Sequence, residues 1–114
     1  KGWSDAVEAA LARPSLANAP QLNFAGLRPA YNAGRYAVVL KRARIVWKNR
    51  DKGYQLSPGD LTFVVEFACR SGGQLALSGK DAADGLEWCE RWLDRAGRAG
   101  QPTQEIEDLI RQVE

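Results

Sequence analysis

The segment that most constrains the fold is Leu61 to Leu77, LTFVVEFACRSGGQLAL, whose only charged residues are Glu66 and Arg70. Leu61, Phe63, Val65, Phe67 and Cys69 alternate with Thr62, Val64, Glu66 and Arg70. A period of two is that of a strand with one face on a core. Ser71, Gly72 and Gly73 supply turn chemistry, and Leu75 and Leu77 return along the same core. The pattern predicts a β-hairpin.

The preceding stretch, RYAVVLKRARIVWK, is rich in β-branched and aromatic residues and is expected to be one strand or two. Its alternation changes phase midway. Tyr36, Val38 and Leu40 share one parity and Ala43, Ile45 and Trp47 the other, which calls for a bulge near Lys41 and Arg42. KNRDKGYQLSPGD carries loop composition, with SPGD as a turn signal.

Helical spacing is confined to the ends. Trp3, Val7, Ala10 and Leu11 form one apolar face behind a Ser4 N-cap and before Pro14. Residues 14 to 35 are broken repeatedly by proline and glycine and are expected to be mostly loop, with QLNFAGL as a short strand. Ala82, Leu86, Cys89, Leu93 and Ala96 make a helical stripe closed by Gly97. Ile106, Leu109, Ile110 and Val113 mark a short last helix with Glu105, Glu107 and Asp108 near its start.

The expected architecture is therefore α+β: an antiparallel sheet of three to five strands, one long helix across a face, and short N- and C-terminal helices. The 114 residues suit a single domain spanning 1–114, with 102–114 as a separable packing or interaction element. The chain starts at Lys1 and lacks methionine, so excision from a longer protein is expected. LALSGKDAADGLEWCERWLDRA resembles the closing strand and tryptophan-bearing helix of a pleckstrin-homology-like domain, though the seven strands of such a domain are not found. The helix, strands, helix order is similar to that of a double-stranded-RNA-binding domain. The proline-rich gap after Arg13 and the acidic second helix depart from that pattern, and no residue roles are carried over from either family.

Histidine is absent, which removes the commonest general base and the usual zinc ligand together. Cys69 and Cys89 have neither CxxC spacing nor a histidine partner. No catalytic residue, metal site or cofactor is expected, and the chain is not expected to be an enzyme. GGQLALSGKD misses the phosphate-loop spacing by one residue and has Asp81 where Ser or Thr belongs. Two buried thiols are the favoured state of the cysteines; a disulfide is the alternative and would imply an oxidising compartment. No apolar run approaches the ~20 residues that span a bilayer, and the first ten residues lack signal-peptide order, so a cytoplasmic protein without a membrane span is expected.

Charge is unevenly distributed. Residues 28 to 52 hold eight cations and one acid, whereas nine acids and four cations follow from Asp81 onward. KRARIVWKNRDK, Lys41 to Lys52, alone has six of the sixteen cations. On a strand, Arg42, Arg44 and Lys48 would project from the outer face, Arg50 and Lys52 would extend the row, and Tyr54 with Tyr36 would offer stacking. Such a row suits nucleic-acid phosphates, and a solvated sheet face is the alternative. Trp88 lies off the Ala82–Ala96 stripe. With Trp92, Ile106, Leu109 and Ile110 it would form a ledge for a protein partner or second copy, unless the last helix folds back to cover it. Asp84, Glu87, Glu90 and Asp94 interleave with Arg91 and Arg95 at helical spacing, which predicts ion pairs on a solvated face. The expected role is that of a non-catalytic binding module.

Overall fold

The computed structural model describes residues 2–51, 56–79, 82–98, 100 and 103–113. Among these the chain forms seven helices and no strand: α1 (Gly2–Leu11), α2 (Pro20–Ala25), α3 (Leu27–Asn32), α4 (Tyr36–Lys48), α5 (Pro58–Leu77), α6 (Ala82–Arg98) and α7 (Gln104–Val113). The expected α+β sheet is overturned: all three supposed strand regions, QLNFAGL, RYAVVLKRARIVWK and Leu61 to Leu77, fall in helices. Neither family likeness survives, since each required a sheet.

α5 is the organising element. Ser57 Oγ accepts from the Asp60 N–H at 3.0 Å and Asp60 Oδ2 accepts from the Ser57 N–H at 3.2 Å, a reciprocal cap with Pro58 at the first helical position. SPGD is thus a helix start and not a turn. Val64, Val65, Ala68, Cys69 and Gly72 are buried at helical spacing. The Ser71-Gly72-Gly73 triplet expected to reverse the chain lies fully inside the helix. The helix stops at Ser78, with Gly79 at φ +81°, the left-handed residue that ends many helices.

α4 packs on one side of α5 and α6 on another, while α3 and α7 touch it as well. Val39, Leu40, Ala43 and Val46 of α4 join Val64, Val65 and Ala68 of α5 and Trp88, Cys89, Trp92 and Ala96 of α6 in one continuous core. Cys69 and Cys89 form a disulfide between α5 and α6 inside that core, so the favoured pair of reduced thiols is corrected. Gly97 is helical and exposed and does not cap α6. The Trp3 and Leu86 side chains lie outside the described residues.

The proline-rich region is ordered as α2 and α3, not loop and strand. Buried Asn23 donates to the carbonyls of Ala17 and Ala19 at 3.1 and 2.8 Å, which pins the approach to α2. Gly26 forms the corner between α2 and α3 and presents its carbonyl to Arg42 at 2.8 Å. No helix among the described residues is long and apolar enough to cross a membrane.

Candidate functional site

A helix has a period near 3.6 residues, so the basic run of α4 sorts differently from a strand. Val39, Leu40, Ala43 and Val46 point inward, and Lys41, Arg44 and Lys48 are exposed at steps of three and four. These three cations form a row about 10 Å long on one solvent face. Arg42 falls on the other side. It is 7% exposed, donates from Nη1 and Nη2 to the two Glu8 carboxylate oxygens at 2.8 and 2.6 Å, and also reaches the Gly26 carbonyl. Arg42 therefore ties α4 to α1 and to the α2–α3 corner, and its assignment to a phosphate-binding row is corrected. The hydrogen bond from Arg42 holds the Glu8 carboxyl below the usual glutamate range, against the opposing effect of partial burial.

Beside the row, Trp47 is half-buried and meets Trp88 of α6 edge to face, with ring centroids 5.9 Å apart and planes at 82°. Guanidinium groups gather on this pair. Arg50 lies 4.4 Å from the Trp47 ring centre, Arg91 5.5 Å and Arg95 6.0 Å, while Arg91 is 4.7 Å from Trp88. The negative faces of the indoles offset part of the repulsion between like charges and hold the planar forks in fixed orientations. Arg91 also pairs with Glu87 at 2.5 Å, Arg95 Nε donates to Thr62 Oγ1 at 3.2 Å, and Arg50 Nη1 donates to the Trp47 carbonyl at 2.7 Å. A shallow depression of about 190 Å³ lies between the helices, lined by Arg44, Trp47, Lys48, Glu87, Trp88 and Arg91.

Of the residues expected to carry phosphate binding, Arg44, Lys48 and Arg50 come together on this face, and Arg42 does not. Lys52 and Tyr54 lie outside the described residues. Tyr36, at the opposite end of α4, packs against Tyr31 with centroids 5.7 Å apart. The strand assumption concealed Lys41 as the start of the row, Trp47 as its aromatic centre, and Arg91 with Arg95 as contributors from α6. A heptad-like step from Lys41 to Arg44 to Lys48 is the signal that would have found the row.

The other candidate surface is closed. Trp88 and Trp92 are 2% and 5% exposed, and Ile106 of α7 is 1% exposed. Leu109 and Ile110 pack partly buried against the same core, and Leu109 covers Gly73 of α5. The last helix does fold back onto its own domain, so Trp88, Trp92 and Ile106 present no open ledge to a partner. An ion pair of Arg70 with both Glu66 and Glu105 clamps α7 to α5. Its hydrogen bond from Arg70 holds the exposed Glu105 carboxyl below its ordinary value.

No group of three or more Cys, Asp or Glu side chains suited to a metal ion occurs among the described residues. Comparison with known protein families, with curated proteins and with solved structures finds no match to this chain.

Proposed function

We propose that this domain is a non-catalytic binding module that holds the phosphates of a nucleic-acid strand on the face formed by α4 and α6. The observation that carries the proposal is the convergence of Arg50, Arg91 and Arg95 on Trp47, beside the exposed row of Lys41, Arg44 and Lys48. Guanidinium forks and lysine point charges bind phosphate oxygens without a sequence requirement, and their like-charge repulsion is relieved when a polyanion lies across them. Trp47 lies under Arg50 and packs on Trp88, which limits stacking by a base, and contacts to phosphates carry no sequence information, so binding is independent of sequence. Glu87, Glu90 and Asp94 on α6 oppose a polyanion and keep the affinity of the domain alone weak, micromolar or worse.

The Cys69–Cys89 bond favours an oxidising compartment over the cytoplasm as the place where this module works. The test is a salt titration of binding to a labelled single strand and to a duplex, with Lys48→Ala/Arg50→Ala as the variant. Absence of binding to either at low salt would end the proposal.

A further inference from the structure

A second concavity, sharing no lining residue with the α4–α6 face, opens between the α2–α3 corner and the first turn of α5. It encloses about 550 Å³, and Phe24, Ala25, Pro29, Gly59 and Phe63 make its surface mainly apolar. Arg28, Asn32 and Asp60 are its polar groups. We infer that this groove binds a small organic monoanion, a flat apolar body ending in a carboxylate.

Its volume lies in the range of ligand pockets. Phe24 and Phe63 meet at 5.6 Å between centroids with planes tilted by 59°, and both remain only partly buried against the core. Phe63 also packs on Phe67, at 4.4 Å between centroids, and the parts of Phe24 and Phe63 that line the groove offer a planar guest edge or offset contacts. The charged group is equally specific. Arg28 is exposed, and its guanidinium carbon lies 5.5 Å from the centre of the Phe63 ring, so the aromatic wall that would hold the guest also orients the cation. Among the described residues no carboxylate pairs with Arg28.

Asp60 selects the valence of the ligand. Its Oδ2 accepts from the Ser57 N–H in the cap of α5, which fixes a carboxylate at the groove that opposes a dianion such as a phosphate monoester. One cation against one fixed anion favours a single negative charge. A guanidinium fork fits a carboxylate by two parallel hydrogen bonds, and the Asn32 amide supplies a further donor at the same rim. A neutral head group of the same shape would cover Arg28 without offering it an anionic acceptor, and is discriminated against for that reason.

The test is an amide-resolved NMR titration with 2-naphthoate and its neutral isostere 2-naphthamide. The carboxylate should saturate with shift changes centred on Ala25, Arg28, Gly59 and Phe63, and bind about tenfold more tightly than the amide. Arg28→Gln, at an exposed position, should erase that difference by weakening only the naphthoate. Gly59→Trp should block both probes: a Cβ at Gly59 meets only Ser57 Oγ, at 3.6 Å, so the added ring extends into the groove and not into the core. Equal binding of the two probes, naphthoate binding indifferent to Arg28→Gln, or no shifts at the groove with either probe up to about 10 mM would overturn the inference.

Discussion

Gly72 of α5 and Gly85 of α6 meet backbone to backbone. A Cβ on Gly72 would lie 2.4 Å from the Gly85 Cα, and one on Gly85 would lie 2.6 Å from the Gly72 carbonyl oxygen. The Cys69–Cys89 bond, with Cα atoms 4.5 Å apart, and the Arg95 to Thr62 hydrogen bond continue the same antiparallel seam. Two helices usually pack with axes 8–10 Å apart, a spacing set by the side chains between them, and glycine at the contact removes that spacer. The seam positions Trp88, Arg91 and Arg95 against α4, so the geometry of the basic face depends on it.

Substitution at the contact should expose this dependence. Alanine improves helix propensity over glycine by ~1 kcal/mol, but at Gly72 or Gly85 the new methyl meets backbone, which cannot turn aside as a side chain would. Gly72→Ala or Gly85→Ala should lower stability by about 1–3 kcal/mol, through overpacking. Gly97→Ala, with nothing within 4 Å of its Cβ, should raise it by about 0.5–1 kcal/mol. Urea midpoints measure all three, and a gain at Gly72 would contradict the close approach.

Reduction of the disulfide should act mainly through the unfolded chain. Closing a loop of 20 residues restricts the unfolded ensemble by about 3 kcal/mol on the chain-entropy model. The denaturation midpoint should fall accordingly in reductant. Both cysteines are buried, at 0% and 2% exposure, so the native protein should lose the bond only as fast as it opens. Thiol trapping over time in reductant, without denaturant, checks this. Immediate and complete labelling would show that the bond is accessible or absent.

Arg42 and Glu8 give a stability term with a pH signature. Glu8 has a folded-state pKa below its ordinary value of 4.5, so its contribution is complete above 4.5 and is lost as pH falls through the lower folded value. Stability should be level from neutral pH to about 5 and fall below it. Glu8→Gln should flatten part of that acid limb. Arg42→Met should cost about 2 kcal/mol at neutral pH, less than the ~3–5 for a fully buried pair, because the Glu8 side chain keeps 32% of its exposure. Thermal or urea unfolding at stepped pH decides it, and an acid limb identical in wild type and Glu8→Gln would remove the pair as its source.

The helical ends of the chain were legible and its middle was not, for a reason visible in particular residues. Val39, Leu40, Ala43, Val46 and Trp47 stand at i, i+1, i+4, i+7 and i+8, a helical face that an alternation test reports as a change of phase. The β-branched content of α4 favours a strand locally, and burial between α5 and its neighbours overrides that preference. In α5 the alternation of Leu61, Phe63, Val65 and Phe67 coexists with a helical set, because a helix buried on several sides is apolar nearly all round. The glycine pair resembled a turn since its structural role, room for Gly85 and Leu109, lies in contacts far along the chain. The run of cations is plain in the sequence; period decides which of its members share a face, and a period of two puts Arg42 there.

That difference of period supplies the sharpest test of the proposed phosphate face. A strand would group Arg42 with Arg44 and Lys48, whereas the helix groups Lys41, Arg44 and Lys48 with Arg50 and buries Arg42. Four phosphate contacts, from Lys41, Arg44, Lys48 and Arg50, should give a slope of log affinity against log salt of roughly −3 to −4 for duplex DNA and near −3 for a single strand. Lys48→Ala/Arg50→Ala should reduce the slope on duplex by about two and weaken all sequences alike. Arg42→Met, measured where the variant is still folded, should leave the slope unchanged. A slope that falls with Arg42→Met and not with the Lys48/Arg50 pair would place binding on another surface, and specificity for one sequence would show that base edges, and not phosphates alone, are being recognised.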